Sequence, residues 1–136
     1  MPIDAPSLSA DQAAACAEFL KAAPDTLAGE VRRSVLPDDA PGAAWGDPAI
    51  TVTCGVAAPA EFDKFSPCDE VNGVGWFVPD EVRSSQDRDA VLTTIGFEPR
   101  LQLLVPASYR PEGPAAAMAA LAKAIKRTLT RTARCH

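Results

Sequence analysis

The chain has 136 residues, 47% hydrophobic and 23% charged, which fits one folded domain and excludes disordered, collagenous and coiled-coil polypeptides. A formal net charge of −5 speaks against a non-specific nucleic-acid binder, which needs a basic field. No run approaches the ~18 uninterrupted apolar residues of a membrane span, and the lone histidine is the terminal His136, which removes most histidine catalysis and zinc chemistry.

Residues 1–8 read as a flexible lead, and residues 9–136 as one disulfide-stabilised extracytoplasmic domain. Ser9 and Gln12 form an S-x-x-Q capping box at a helix start. Ala13, Cys16, Ala17 and Leu20 then fall at helical spacing and predict the buried stripe of a helix over 10–23. Pro24 ends that helix or opens a second short one, with Leu27, Val31 and Val35 inward. Residues 37–42, with two prolines, two aspartates and a glycine, read as loop. Asp47-Pro48 favours an extended approach to a strand over 50–56, whose β-branched run starts at Ile50. Residues 57–64 read as a loop or a single helical turn. Asn72-Gly73 lies between two apolar arms and predicts a tight hairpin, because both residues tolerate positive φ. Residues 80–89 hold six charges and read as a solvated loop. Strands are expected over 91–97 and 101–105, joined by a turn at Glu98-Pro99-Arg100. Glu112-Gly113-Pro114 opens a last helix with Met118, Leu121, Ala122, Ile125 and Leu129 as its apolar stripe. Helix, strands and helix in that order predict α+β: an antiparallel sheet of four or five short strands with the N-terminal and C-terminal helices on one face.

Charge is unevenly placed. Residues 1–98 carry 6 Lys and Arg against 17 Asp and Glu, whereas residues 99–136 carry 7 against the single acid Glu112. The basic tail, including Lys123, Lys126, Arg127, Arg131 and Arg134, reads as a solvated helix face with cations where the dipole favours them, or as a surface that meets an acidic one. The four cysteines, Cys16, Cys54, Cys68 and Cys135, contain no C-x-x-C pair and have no histidine nearby, so zinc, redox-dithiol and iron–sulfur spacings are missing. An even, widely spaced set reads as two disulfides and an oxidising compartment; four reduced cytosolic thiols are the alternative. Of the three connectivities, Cys54–Cys68 is expected to close a loop of about 15 residues. Cys16–Cys135 is expected to tie the first helix to the chain end. The opening residues lack a basic and an apolar signal region, so paired cysteines imply an export signal in the natural protein.

Catalytic constellations are scarce. Without an internal histidine only carboxylates are left for a metal, and neither Asp38-Asp39 nor Asp87-Arg88-Asp89 has calcium-loop spacing. There is no G-x-S-x-G elbow, no base for a serine, no P-loop and no dinucleotide fingerprint. No catalytic residue, metal or cofactor is therefore assigned. A carboxylate pair for glycoside hydrolysis stays open, since any two of 18 acids can meet in space. Trp45 and Trp76 each adjoin glycine near a strand end. One reading makes them an aromatic platform for a sugar or peptide, with Asp47 or Asn72 supplying hydrogen bonds. The other makes them core or rim packing, and that is the expected one.

Trp45-Gly46-Asp47-Pro48-Ala49-Ile50, then Cys54-Gly55-Val56, then Val71-Asn72-Gly73-Val74 with Trp76, resembles an actinobacterial exported domain family of unknown function. Val105-Pro106, Tyr109 and Pro111-Glu112 resemble the same family's joint before its last helix. The resemblance covers most of residues 13–135. It implies an N-terminal membrane anchor, a location on the outer face of the cytoplasmic membrane, and genes often near a D-alanine–D-alanine ligase. It carries no catalytic residues. The function expected is a non-catalytic extracytoplasmic domain that binds a cell-envelope protein or cell-wall component, without nucleic acid. A carboxylate-dependent envelope hydrolase and an assembly module pairing through a sheet edge are the alternatives.

Overall fold

A computed structural model describes residues 3, 6–63 and 66–133. In chain order it contains α1 (Ala10–Ala22), β1 (Thr26–Leu27), β2 (Glu30–Arg33), β3 (Gly42–Trp45), β4 (Ile50–Cys54), β5 (Asp69–Val71) and β6 (Val74–Phe77). Next come α2 (Asp80–Ser84), β7 (Ala90–Ile95), β8 (Phe97–Glu98), β9 (Leu101–Val105), a 3-10 turn (Ala107–Tyr109), α3 (Gly113–Thr128) and β10 (Thr130–Arg131). The class is α+β, as the element order implies. The sheet is larger than expected: eight strands in the order β1-β2-β3-β4-β9-β7-β6-β5, every neighbouring pair antiparallel, with a separate β8–β10 ribbon.

The sheet is two meanders that meet in the middle. One runs from the β1 edge inward to β4. The chain then crosses to the far edge, and β5, β6 and β7 return toward the centre. β9 fills the remaining gap and pairs with β4 on one side and β7 on the other. The register sets one inward layer. Ala43 faces Val52, Val52 faces Leu103, Leu103 faces Leu92, and Trp45 faces Ile50. Strand side chains alternate faces, so this row, with Val74 and Trp76, forms the floor on which α1 and α3 lie. All of these residues are at most 1% exposed, which makes this one continuous core.

The helices follow their sequence signals closely. Ser9 and Gln12 close the capping box, Gln12 N–H donating to Ser9 Oγ at 3.1 Å and Ser9 N–H to Gln12 Oε1 at 2.9 Å. Every member of the expected α3 stripe, from Met118 to Leu129, is buried. The α1 stripe needs correction. Cys16, Phe19 and Ala23 are its buried residues, whereas Ala13 and Ala17 are exposed. Phe19 is the largest apolar group on the helix, and burying it turns the two alanines outward.

Residues 26–33 form a hairpin rather than a second helix, through a turn at Ala28 (φ 51°) and Gly29 (φ 83°). Val31, expected inward, is 69% exposed. The hairpin holds α1: Arg32 donates to the carbonyls of Leu20 and Ala23 at 3.1 and 3.2 Å, where the helix terminus presents unsatisfied oxygens. The charged stretch 80–89 is helical in its first half, with Val82 buried. Arg110 fixes it by donating to the carbonyls of Val82, Ser85 and Arg88. The Asn72-Gly73 hairpin forms as expected, with φ of 51° and 87°. Ile3, inside the stretch read as a lead, is buried and donates its N–H to Leu36 O at 3.0 Å. Among the described residues no helix is long and apolar enough to cross a membrane.

Candidate functional site

The cysteine pairing differs from the expectation. Cys16 is bonded to Cys54, with an S–S distance of 2.06 Å and Cα atoms 5.7 Å apart. The sheet register explains why Cys54 does not reach Cys68. Cys54 pairs with Leu101, Thr94 with Trp76, and Trp76 with Asp69, so Cys54 and the residue after Cys68 stand in one row, four strand spacings apart. That is about 19 Å, far beyond the ~7 Å limit between bridged Cα atoms. Cys54 instead projects from the inner face of β4, directly under Cys16 of α1. The pair expected between Cys16 and Cys135 is excluded by the same bond. Cys68 is itself disulfide-bonded, Cys135 lies outside the described residues, and no described cysteine is free.

The four residues of the aromatic reading do not converge. Trp45 and Trp76 are both fully buried, with no ring face left for a ligand. The Trp45 indole N–H donates to Pro24 O at 2.9 Å, and the Arg32 guanidinium stands 5.8 Å from its ring centroid. The Trp76 indole N–H is buried without a partner among the described residues. Asp47 is exposed in the β3–β4 loop, at the Ile50 end of the sheet. Asn72 is exposed in the β5–β6 turn, at the Cys54 end and on the opposite wing.

Two sequence segments far apart in the chain do meet. Tyr109, from the joint before α3, donates its hydroxyl to Pro48 O at 2.6 Å and lies 3.4 Å from Glu30 Oε1. Arg33 donates to Gly46 O at 2.9 Å from the other side. Gly46 makes this approach possible: a Cβ there would lie 2.6 Å from Glu30 Oε1 and 2.8 Å from the Tyr109 hydroxyl, and its φ of 76° suits glycine. Burial pushes the Tyr109 hydroxyl above its ordinary pKa of 10.0, and the nearby carboxylates of Glu30 and Asp47 add to the rise. The cluster latches the β3–β4 loop to the C-terminal half. Sequence patterning picked out both segments but not their contact, since nothing local pairs residue 48 with residue 109.

A concave region lies beside α1. A groove of about 520 Å³ runs between α1 and the loop between β2 and β3, with Leu8 closing one end. Ala13, Ala17 and Leu20 form one wall, and Pro37, Pro41 and the adjacent aspartates Asp38 and Asp39 form the other. Small side chains on the outward face of α1 create the depression. Asp38 and Asp39 are both exposed and give it a negative rim. This is the geometry of a binding cleft, apolar on its floor with a few polar groups to orient a ligand. The sequence signal was present as the Pro-Asp-Asp-Ala-Pro loop, but it became a wall only once Phe19 had turned the α1 alanines outward. Among the described residues no cluster of His, Cys, Asp and Glu has the makings of a metal site.

A family model described as "Protein of unknown function (DUF3515)" matches residues 1–133. No curated protein and no solved structure matches the chain.

Proposed function

Since this chain belongs to the DUF3515 family of proteins of unknown function, its role is to be read from its own residues, and we propose a non-catalytic extracytoplasmic domain that binds a component of the cell envelope. The observation that carries this reading is the Cys16–Cys54 bond. Disulfides persist in oxidising compartments and are rare in the cytosol of ordinary cells. This one is buried between a helix and a central strand, where a structural cross-link belongs, and Cys68 is oxidised as well. The resemblance of the Trp45–Ile50 and Val71–Trp76 segments to an exported actinobacterial family supports the same compartment. It also supports attachment to the outer face of the cytoplasmic membrane through an N-terminal anchor.

The groove beside α1 is the binding surface in this reading, for an envelope protein or cell-wall component with an apolar portion and a cationic group to meet Asp38 and Asp39. Its two acids are neighbours on one loop. No acid lines the α1 wall opposite them, where a glycoside hydrolase would need its second carboxylate, which favours binding over hydrolysis.

The thiol state of the protein decides the compartment. Protein isolated from its own cells, alkylated on lysis and denatured without reductant, is expected to show no free thiol by Ellman titration. Four titratable thiols would overturn the proposal.

A further inference from the structure

The fold gathers much of the C-terminal positive charge into one place. Lys123, Lys126 and Arg127 are exposed on α3, and α3 packs against β5 and β6, so these cations stand beside the Asn72-Gly73 turn. Lys126 Nζ donates to Asn72 O at 2.7 Å, and Arg131 Nη2 donates to Gly73 O at 2.8 Å. Those two bonds tie the turn to α3 and to β10. Between turn and helix lies an open hollow of about 410 Å³, floored by Ala119 and Ala122 and rimmed by Asn72, Lys123, Lys126 and Arg127.

The chain has 18 acids for 13 Lys and Arg, yet among the described residues no acid pairs with a cation here. The ion pairs among the described residues engage Lys21, Arg83 and Arg100, and none reaches the cations of the hollow. Like charges held side by side repel, and an anion placed among them relieves that repulsion.

We infer that this hollow is a binding site for a phosphate-bearing anion. Arg127 supplies a planar guanidinium that can bind two phosphate oxygens at once, and the two lysines act as point charges on the others. The Asn72 carboxamide adds a neutral donor. The alanine floor lets a phosphate group approach without steric conflict. The rim has no aromatic side chain on which a base could stack, and the molecule's acidic balance opposes a long nucleic-acid strand. A phosphate monoester or diester fits, whether free in solution or carried by a lipid headgroup. The inference is independent of the α1 groove and of the cysteines.

Two ligands separate the sources: soluble glycerol 3-phosphate, followed by chemical-shift titration, and vesicles of phosphatidylglycerol in phosphatidylcholine, compared with phosphatidylcholine alone. The whole chain is used in each case. The Lys123→Ala/Arg127→Ala variant removes two exposed side chains that make no hydrogen bond or ion pair among those described. Asn72→Asp keeps a turn residue that tolerates positive φ while placing a negative charge on the rim. Thermal unfolding of each variant confirms that it folds.

Vesicle binding should weaken about 25-fold in the double variant, about fivefold per cation, binding of the soluble ester should weaken in the same variant, and both should weaken further as salt rises. Asn72→Asp should weaken it as well. Binding of the soluble ester assigns a free phosphate ligand, and binding of vesicles alone assigns a headgroup. No binding in either arm, or binding unchanged in the double variant, overturns the inference.

Discussion

Tyr109 shows how much a single side chain organises. Its hydroxyl reaches Pro48 O and crowds Gly46, and Glu30 stands beside it. Burial and the Glu30 carboxylate both disfavour the phenolate, so the folded-state pKa is raised above the unfolded one. The native state therefore holds this proton more tightly than the unfolded chain does. The resulting stability is fully present below the unfolded value near 10 and is lost as pH rises through the higher folded value. Tyr109→Phe is expected to cost about 1 kcal/mol at neutral pH, through the lost hydrogen bond. It should also flatten the alkaline part of the stability profile; urea melts at neutral and alkaline pH check both. A variant as pH-sensitive as the parent would show that another group governs the alkaline limb. At this scale the sequence was readable for burial and unreadable for partnership. Trp45 and Trp76 announce themselves as core by size and strand context, and both are buried. The link from Tyr109 to Pro48 spans 61 residues and leaves no local signature.

Among the elements, two turns with nearly the same backbone were unequally visible. Asn72 and Gly73 have φ of 51° and 87°, and Ala28 and Gly29 have φ of 51° and 83°. Asn-Gly states the turn outright, because asparagine tolerates the left-handed region. Ala-Gly does not, and alanine beside Thr26-Leu27 and Val31 reads equally well as helix. Tertiary contacts settle the matter, since Arg32 must reach the carbonyls at the end of α1 and does so only from a strand. Gly29 has nothing within 4 Å of the position a Cβ would take. Gly29→Ala therefore isolates the backbone cost and is expected to destabilise by about 1–2 kcal/mol. The shift in urea midpoint measures it, and no shift would mean that the hairpin relaxes without penalty. The α1 face was misread for a related reason. Six alanines have little to choose between faces, and the burial of Phe19 with the bonded Cys16 decides.

For the molecule as a whole, the Cys16–Cys54 bond joins α1 to the central strand β4 across a separation of 38 residues. In the loop-entropy account, a closure of that length contributes about 4 kcal/mol. The Cys16→Ala/Cys54→Ala variant is expected to fold, because Phe19, the Arg32 bonds and the contact with α3 still hold α1. Its guanidinium midpoint should fall by an amount equivalent to that figure; a loss under ~1 kcal/mol would show that the bond adds little. The connectivity was not readable because loop length says nothing about which strands end up adjacent. The two halves of the sheet are a long-range arrangement, and three strands, β9, β7 and β6, separate the positions that proximity in sequence suggests as partners. The α+β class, the two terminal helices and the Leu101–Val105 strand were readable because each has a strong local period.

The position of β9 has a consequence for how the chain is made. Residues 101–105 are synthesised after both of the strands they join, and they seal the seam between β4 and β7. Until they arrive, the nascent polypeptide holds two ribbons whose inner borders are bare backbone flanked by valine, leucine and isoleucine, which is the profile that recruits stray strands. A polypeptide released before residue 101 keeps that wound open for good. Premature termination ahead of β9 is thus expected to be hazardous to this protein, because it leaves a seam that only the missing strand can cover.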